Sequence, residues 1–139
     1  MAKDLFHDVV KTALQKDGWN VTHDPYQLPF NGDTNVFIDL AAEEAIAAEK
    51  EGRKIAVEIK SFMSGSTISE FHMALGQFLN YRIAIENSEE PERVLYLAAP
   101  IDTYRLFLRF QPASTIIERY DVRLIIYEPD KEEINQWIE

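Results

Sequence analysis

Asp39 stands alone among apolar residues in Val36–Leu40, a run of β-forming side chains, and Glu58-Ile59-Lys60 closes a second such run that opens at Ile55. Side chains alternate faces along a strand, so Glu58 and Lys60, two apart, share one face. Two strands in one sheet can bring Asp39 close to Glu58 at a sheet end. Two converging carboxylates and the carbonyl of Ile59 are the hard oxygen donors that Mg²⁺ takes while keeping several waters; Mn²⁺ accepts the same donors. Lys60 would then stand near the attacking water. Its charge could lower the pKa of that water, orient it, or stabilise the charge developing on a phosphoryl group. The chemistry such a set would suit is metal-dependent phosphodiester hydrolysis. Glu-x-Lys alone also arises wherever a strand of alternating polarity ends at solvent, so it gains meaning only from Asp39 and from the helix after Lys60.

Gln77 and Tyr81 lie on that helix, four apart and therefore on one face. Gln77 could reach the metal shell or a phosphate, and Tyr81 could reach Lys60 or a phosphate. The plain alternative makes Tyr81 a core aromatic and Gln77 a wetted helix residue.

The positioning elements are read from periodicity. Residues 3–16 read as a helix, with Leu5, Val9 and Ala13 on one stripe, Phe6, Val10 and Leu14 beside it, and Asp17-Gly18 as its stop. Trp19–Thr22 is β-prone. His23–Thr34, with two prolines and Asn31-Gly32-Asp33, reads as a loop. Val36–Leu40 is a strand, and Ile46–Lys50 with Lys54–Lys60 forms a hairpin around Glu51-Gly52-Arg53. A loop over Ser61–Thr67 leads to a helix capped by Ser69 and running to Glu86, with Phe71, Leu75, Phe78, Leu79 and Ile83 on its apolar face. Arg93–Ala99 is a buried strand. Pro100 opens a helix that Pro112 interrupts, and Ser114–Arg119 forms a second short one. Val122–Tyr127 is a strand, and Lys131–Ile138 reads as a terminal helix with Ile134, Trp137 and Ile138 inward. The order implies one α/β domain over 1–139, a sandwich with a mixed central β-sheet flanked by helices.

Bulk properties set limits. The 139 residues contain 24 acidic and 14 basic side chains, for a net charge of −10. Such a chain is repelled by DNA at long range, whereas nucleic-acid affinity comes from Lys and Arg on phosphates. Cations do concentrate locally, at Lys50, Arg53, Lys54 and Lys60 and again at Arg105, Arg109, Arg119 and Arg123. The absence of cysteine excludes disulfides and thiolate metal sites. No stretch is apolar enough to span a membrane, and Met1-Ala2-Lys3-Asp4 lacks the apolar core of a signal peptide. A cytoplasmic protein is expected.

The order Asp39, Glu58-x-Lys60, Gln77-x-x-x-Tyr81 resembles the PD-(D/E)xK nuclease superfamily, particularly the branch with the RecB nuclease domain and Holliday-junction resolvases. The resemblance implies a restriction-endonuclease-like fold with an αβββαβ core. It also implies metal binding by Asp39 and Glu58, a catalytic Lys60, and site roles for Gln77 and Tyr81. Ile38 stands where the superfamily's proline would be. Over the whole chain, Asp4-Leu5-Phe6-His7-Asp8, Asp17-Gly18-Trp19, Thr22-His23-Asp24-Pro25, Ile38-Asp39-Leu40, Ala47-Ala48-Glu49-Lys50, Lys54–Phe62, Glu70-Phe71-His72 and Tyr127-Glu128-Pro129 are similar to the XisH proteins of cyanobacteria. Those are described as controlling factors for excision of the fdxN DNA element in heterocyst differentiation, acting beside XisI and a site-specific recombinase. The resemblance thus implies a role in DNA recombination. DNA would be met directly, by a Mg²⁺-dependent endodeoxyribonuclease, or through an XisI-like protein partner, by a catalytically silent subunit.

Superfamily members often complete the metal shell with an acidic residue from the first helix, a role that Asp8 or His7 could fill here. The bland alternative is a polar residue on that helix's wet face. His72, near a helix start, could meet a phosphate, and the small polar loop at Ser64 could approach a backbone or move as a lid. A homodimer would suit the cutting of two strands.

Overall fold

The computed structural model describes residues 5–30, 33–37, 45–63 and 65–139. Helix α1 (His7–Lys16) is followed by β1 (Asn20–His23), β2 (Pro29–Phe30), β3 (Asp33–Phe37), β4 (Ala45–Lys50) and β5 (Arg53–Ile59). Next come α2 (Thr67–Glu86), β6 (Val94–Pro100) and α3 (Ile101–Thr103), which runs into a π-helical turn over Tyr104–Leu108. Helix α4 (Ala113–Arg119), β7 (Leu124–Glu128) and β8 (Glu133–Ile138) complete the chain. Six strands form one open mixed sheet in the order β1-β4-β5-β6-β7-β8. The β5–β6 and β6–β7 pairs are parallel and the others antiparallel. Strands β2 and β3 pair separately.

Alternation along the central strands sends side chains into two cores. Ile55, Val57 and Ile59 join Tyr96, Ala98, Ile125 and Tyr127 on the face covered by Val10 and Leu14 of α1. Ala56, Leu95, Leu97, Ala99, Leu124 and Ile126 face the opposite way. There they meet α2 through Phe71, Ala74, Phe78, Tyr81 and Ile85, whose steps of three and four keep them on one helix stripe. Sheet strands buried on both faces read as continuous apolar runs, as β6 and β7 do.

Several sequence expectations are corrected. Lys131–Ile138 is not a helix. Glu132, at φ 52°, turns the chain back after Pro129, and β8 pairs antiparallel along the edge of β7. Ile134, Trp137 and Ile138 fit helical spacing, but the open β7 edge and the packing of Trp137 on Trp19 and Tyr96 favour a strand. The expected loop over His23–Thr34 contains β2 and the start of β3, because Asn31-Gly32 sits between β-prone segments as a hairpin signal. The strand expected over Val36–Leu40 is β3, ending at Phe37; residues 38–40 lie outside the described residues. Ser66, not Ser69, caps α2: its hydroxyl accepts from the Ser69 amide at 3.2 Å. Leu5 precedes α1 and is exposed. Ile83 is exposed too, because Tyr81 and Ile85 take the inward positions around it.

Candidate functional site

Glu58 and Lys60 continue the parity of Ala56, so both point to the α2 side of the sheet. Glu58 pairs with Leu97 of β6 and with Ala45 of β4, near the middle of the sheet. Lys60 follows the last residue of β5. Its amide donates to the Ala98 carbonyl at 3.1 Å, and its carbonyl accepts from the Tyr127 hydroxyl at 2.8 Å. The backbone is thereby fixed from β6 and β7 at once. Both side chains are only 1% exposed, and Lys60 Nζ lies 3.8 Å from Glu58 Oε2.

Helix α2 supplies the third group. Lys60 Nζ donates to Gln77 Oε1 at 2.6 Å. The Ser66 cap sets where α2 begins, and its buried stripe sets its rotation, so Gln77 meets the end of β5. Tyr81 lies one turn further on, buried with Phe78 and Ile85 in the core beneath the helix. The structure therefore brings Glu58, Lys60 and Gln77 together. Asp39 and Ser64 lie outside the described residues. Ala45, Glu58's partner across the β4–β5 ladder, is six positions after Asp39 in the sequence.

Asp8 is exposed in the first turn of α1, the helix that covers the other sheet face. His7 is buried, with Nε2 2.7 Å from Asp24 Oδ1, and Lys11 donates to Asp24 Oδ2 at 2.8 Å. Burial pushes the Asp24 carboxyl up, but the bond from Lys11 and the nearby His7 outweigh it, and the pKa is lowered. His72 is exposed on α2.

Among the described residues no group of three or more His, Cys, Asp or Glu side chains is placed to hold a metal ion. Glu58 nevertheless offers a buried carboxylate of the hard-oxygen type that suits Mg²⁺. Sequence reasoning missed Tyr127, which holds the Lys60 carbonyl. Its one signal is a hydroxyl at the end of an otherwise apolar strand.

The chain matches the family model described as XisH protein over residues 1–135. No curated protein matches it. A solved XisH family protein from Nostoc punctiforme is 49% identical, with a TM-score of 0.88 over 98% of this chain and 100% of that one. A solved fdxN element excision controlling factor protein from Anabaena variabilis is also 49% identical, with a TM-score of 0.87 over 96% of this chain and 98% of that one. A family model spanning nearly the whole sequence and this structural agreement place the chain in the XisH family.

Proposed function

We propose that this XisH protein is a controlling factor in excision of a DNA element, and that Glu58, Lys60 and Gln77 belong to a PD-(D/E)xK site for metal-dependent phosphodiester hydrolysis. The observation that carries the reading is the Glu58–Lys60 pair, each 1% exposed, with the ammonium also bound by Gln77. Burying two charges costs several kcal/mol per ion, roughly, before their attraction offsets it. An apolar pair of similar volume would hold the sheet to α2 at least as well. Buried, specifically paired charges of this kind cluster at functional sites. The name of the Anabaena relative supports the role in excision. The mixed sheet between α1 and α2 suits a restriction-endonuclease-like sandwich.

In this reading Glu58, Asp39 and the Ile59 carbonyl would hold Mg²⁺ or Mn²⁺, which supplies a Lewis acid and an activated water when bound. Asp8, expected to complete the shell, sits on the helix over the opposite face of the sheet. Lys60 stabilises the charge that develops on the phosphoryl oxygens. Gln77 keeps the ammonium oriented, and Tyr81 contributes its hydroxyl to Lys60 or a phosphate. The grip of Ala98 and Tyr127 on the Lys60 backbone limits its wander, which matters because small misplacements cost rate.

A second reading is favoured by the net charge of −10. The chain would be a silent subunit acting through a protein partner such as an XisI-like protein, which would carry the DNA contacts. Incubation with Mg²⁺ or Mn²⁺ and duplex, branched and single-stranded DNA, with and without that partner, separates the two. The nuclease reading expects cleavage that Lys60→Met and Glu58→Gln abolish while the fold persists by circular dichroism. Identical behaviour of wild type and folded variants under every condition leaves the partner reading. Sedimentation of the same samples reports whether the active species is a homodimer.

A further inference from the structure

Strands β5, β6 and β7 are parallel, so their carboxyl ends lie along one edge of the sheet. The segments that leave them enclose a cavity of about 660 Å³. Its wall comes from residues 61–63 after β5, 100–103 and 105–107 after β6 and 128–131 after β7, with Phe6 and Thr67 alongside. The carboxyl ends of parallel strands are where open α/β sheets bind ligands, and the volume falls within the usual range for a binding pocket. Glu58 and Gln77 do not line it.

Two features of the rim point to its occupant. The first is apolar exposure. Leu106 is 81% and Met63 63% exposed, and both line the cavity beside Phe62, Ile101 and Phe107. Clustered apolar exposure marks interaction sites, whereas scattered exposure does not. The π-helical turn contributes Arg105, Leu106 and Phe107 to the lining.

The second feature is charge. Asp102, Glu128 and Asp130 line the cavity, and among the described residues none of them is in an ion pair. Arg105 and Lys131 share the rim, leaving it negative in a chain whose net charge is −10. That field repels a second copy of this chain and repels nucleic acid, and it attracts a basic partner.

We infer that this cavity docks a segment of a different, basic protein chain, which inserts a large apolar side chain and places Lys or Arg against Asp102, Glu128 and Asp130. The inference is independent of the phosphodiester chemistry, because it uses neither Glu58 nor Lys60. Selection of short random displayed peptides on the intact protein, followed by anisotropy measurements on the enriched peptides, tests it. The expected peptides combine a large apolar residue with Lys or Arg. Their affinity falls about tenfold or more, roughly 1.4 kcal/mol, for Leu106→Ser with Met63→Ser and separately for Asp102→Asn with Asp130→Asn. All four side chains are solvent-exposed, so the fold is expected to survive, and circular dichroism checks it. The proposal is overturned if nothing is enriched, if the peptides lack either the apolar or the basic component, or if either folded double variant binds them as well as wild type. Sedimentation showing a dimer that Leu106→Ser with Met63→Ser dissolves would instead assign the face to a second copy.

Discussion

Lys60 and Glu58 form an ion pair 3.8 Å apart with both side chains 1% exposed, so removing either takes a buried counter-charge from the other. Breaking a buried pair by deleting one member costs about 3–5 kcal/mol, whereas replacing both with apolar groups is often neutral or stabilising. Glu58→Leu and Lys60→Met should therefore each lower urea-unfolding stability by roughly that amount, and the double variant should lose less than either alone. If the two losses simply add, the two side chains are not coupled and a buried pair no longer supports the catalytic reading. Gln77→Leu removes the 2.6 Å acceptor from the ammonium. Hydrogen bonds to charged groups contribute about 1.5–3 kcal/mol, so a loss of that order is expected in the same experiment. Glu58 and Lys60 were legible as a same-face pair because β5 alternates cleanly. That Gln77 and Tyr81 share a helix face was legible from their i, i+4 spacing, but the bond from Lys60 to Gln77 was not. Read from sequence, Gln77 reaches the metal shell or a phosphate and Tyr81 reaches Lys60 or a phosphate; which of the two meets the end of β5 depends on how α2 packs on the sheet. Tyr127 was not, because its partner is a backbone carbonyl contributed by a residue 67 positions away.

At the scale of elements, α2 carries Gln77 to the site and its start is set by Ser66. Replacing an N-cap serine with alanine costs about 1 kcal/mol, so Ser66→Ala should lower the unfolding free energy by that much, whereas Ser69→Ala should cost less. The far ends of β5 and β6 are tied by another device. Glu90 accepts from Lys54 at 2.7 Å and from Arg93 at 2.9 Å, and Arg93 also donates to the Ile55 carbonyl at 2.9 Å. The bonds from Lys54 and then Arg93 bring the Glu90 pKa down to about 2. A carboxyl depressed in the folded state adds stability above its unfolded pKa, near 4.5, and loses it as pH falls toward 2. Glu90→Gln should therefore flatten the acid limb of stability between those values, read as urea midpoints against pH. An unchanged limb would show that other carboxylates govern it. Element types were legible wherever only one periodicity fitted. They failed at Glu133–Ile138, where Ile134, Trp137 and Ile138 fit helical spacing, and only a register shift opposite Ile126 and Tyr127 lets Ile134 and Trp137 of the observed strand pack in one core. The vacant edge of β7, a non-local fact, decided between them.

For the whole molecule the deciding quantity is charge. Non-specific DNA affinity typically lies near 10⁻⁴–10⁻⁶ M at physiological salt and is supplied by cations neutralising phosphates. Here 24 acidic side chains oppose 14 basic ones, and the latter are not all available. Lys54, Lys60 and Arg93 are engaged with Glu90, Glu58 or Gln77, and Lys11 is engaged with Asp24. The isolated chain should therefore bind labelled duplex DNA more weakly than that range in anisotropy titrations near 150 mM salt, where the Debye length is roughly 8 Å. Lowering the salt should help little, because few counterions are released when few cations meet phosphate. With a basic partner bound, affinity should rise and its logarithm should fall steeply with the logarithm of salt, at about 0.9 per phosphate contacted. A steep slope for the chain alone would mean that Arg105, Arg109, Arg119 and Arg123 form a working DNA surface despite the overall charge, and it would favour direct cleavage. A shallow slope alone and a steep one in the complex would assign the phosphate contacts to the partner. In that case Glu58 and Lys60 would meet DNA only after the partner had delivered it.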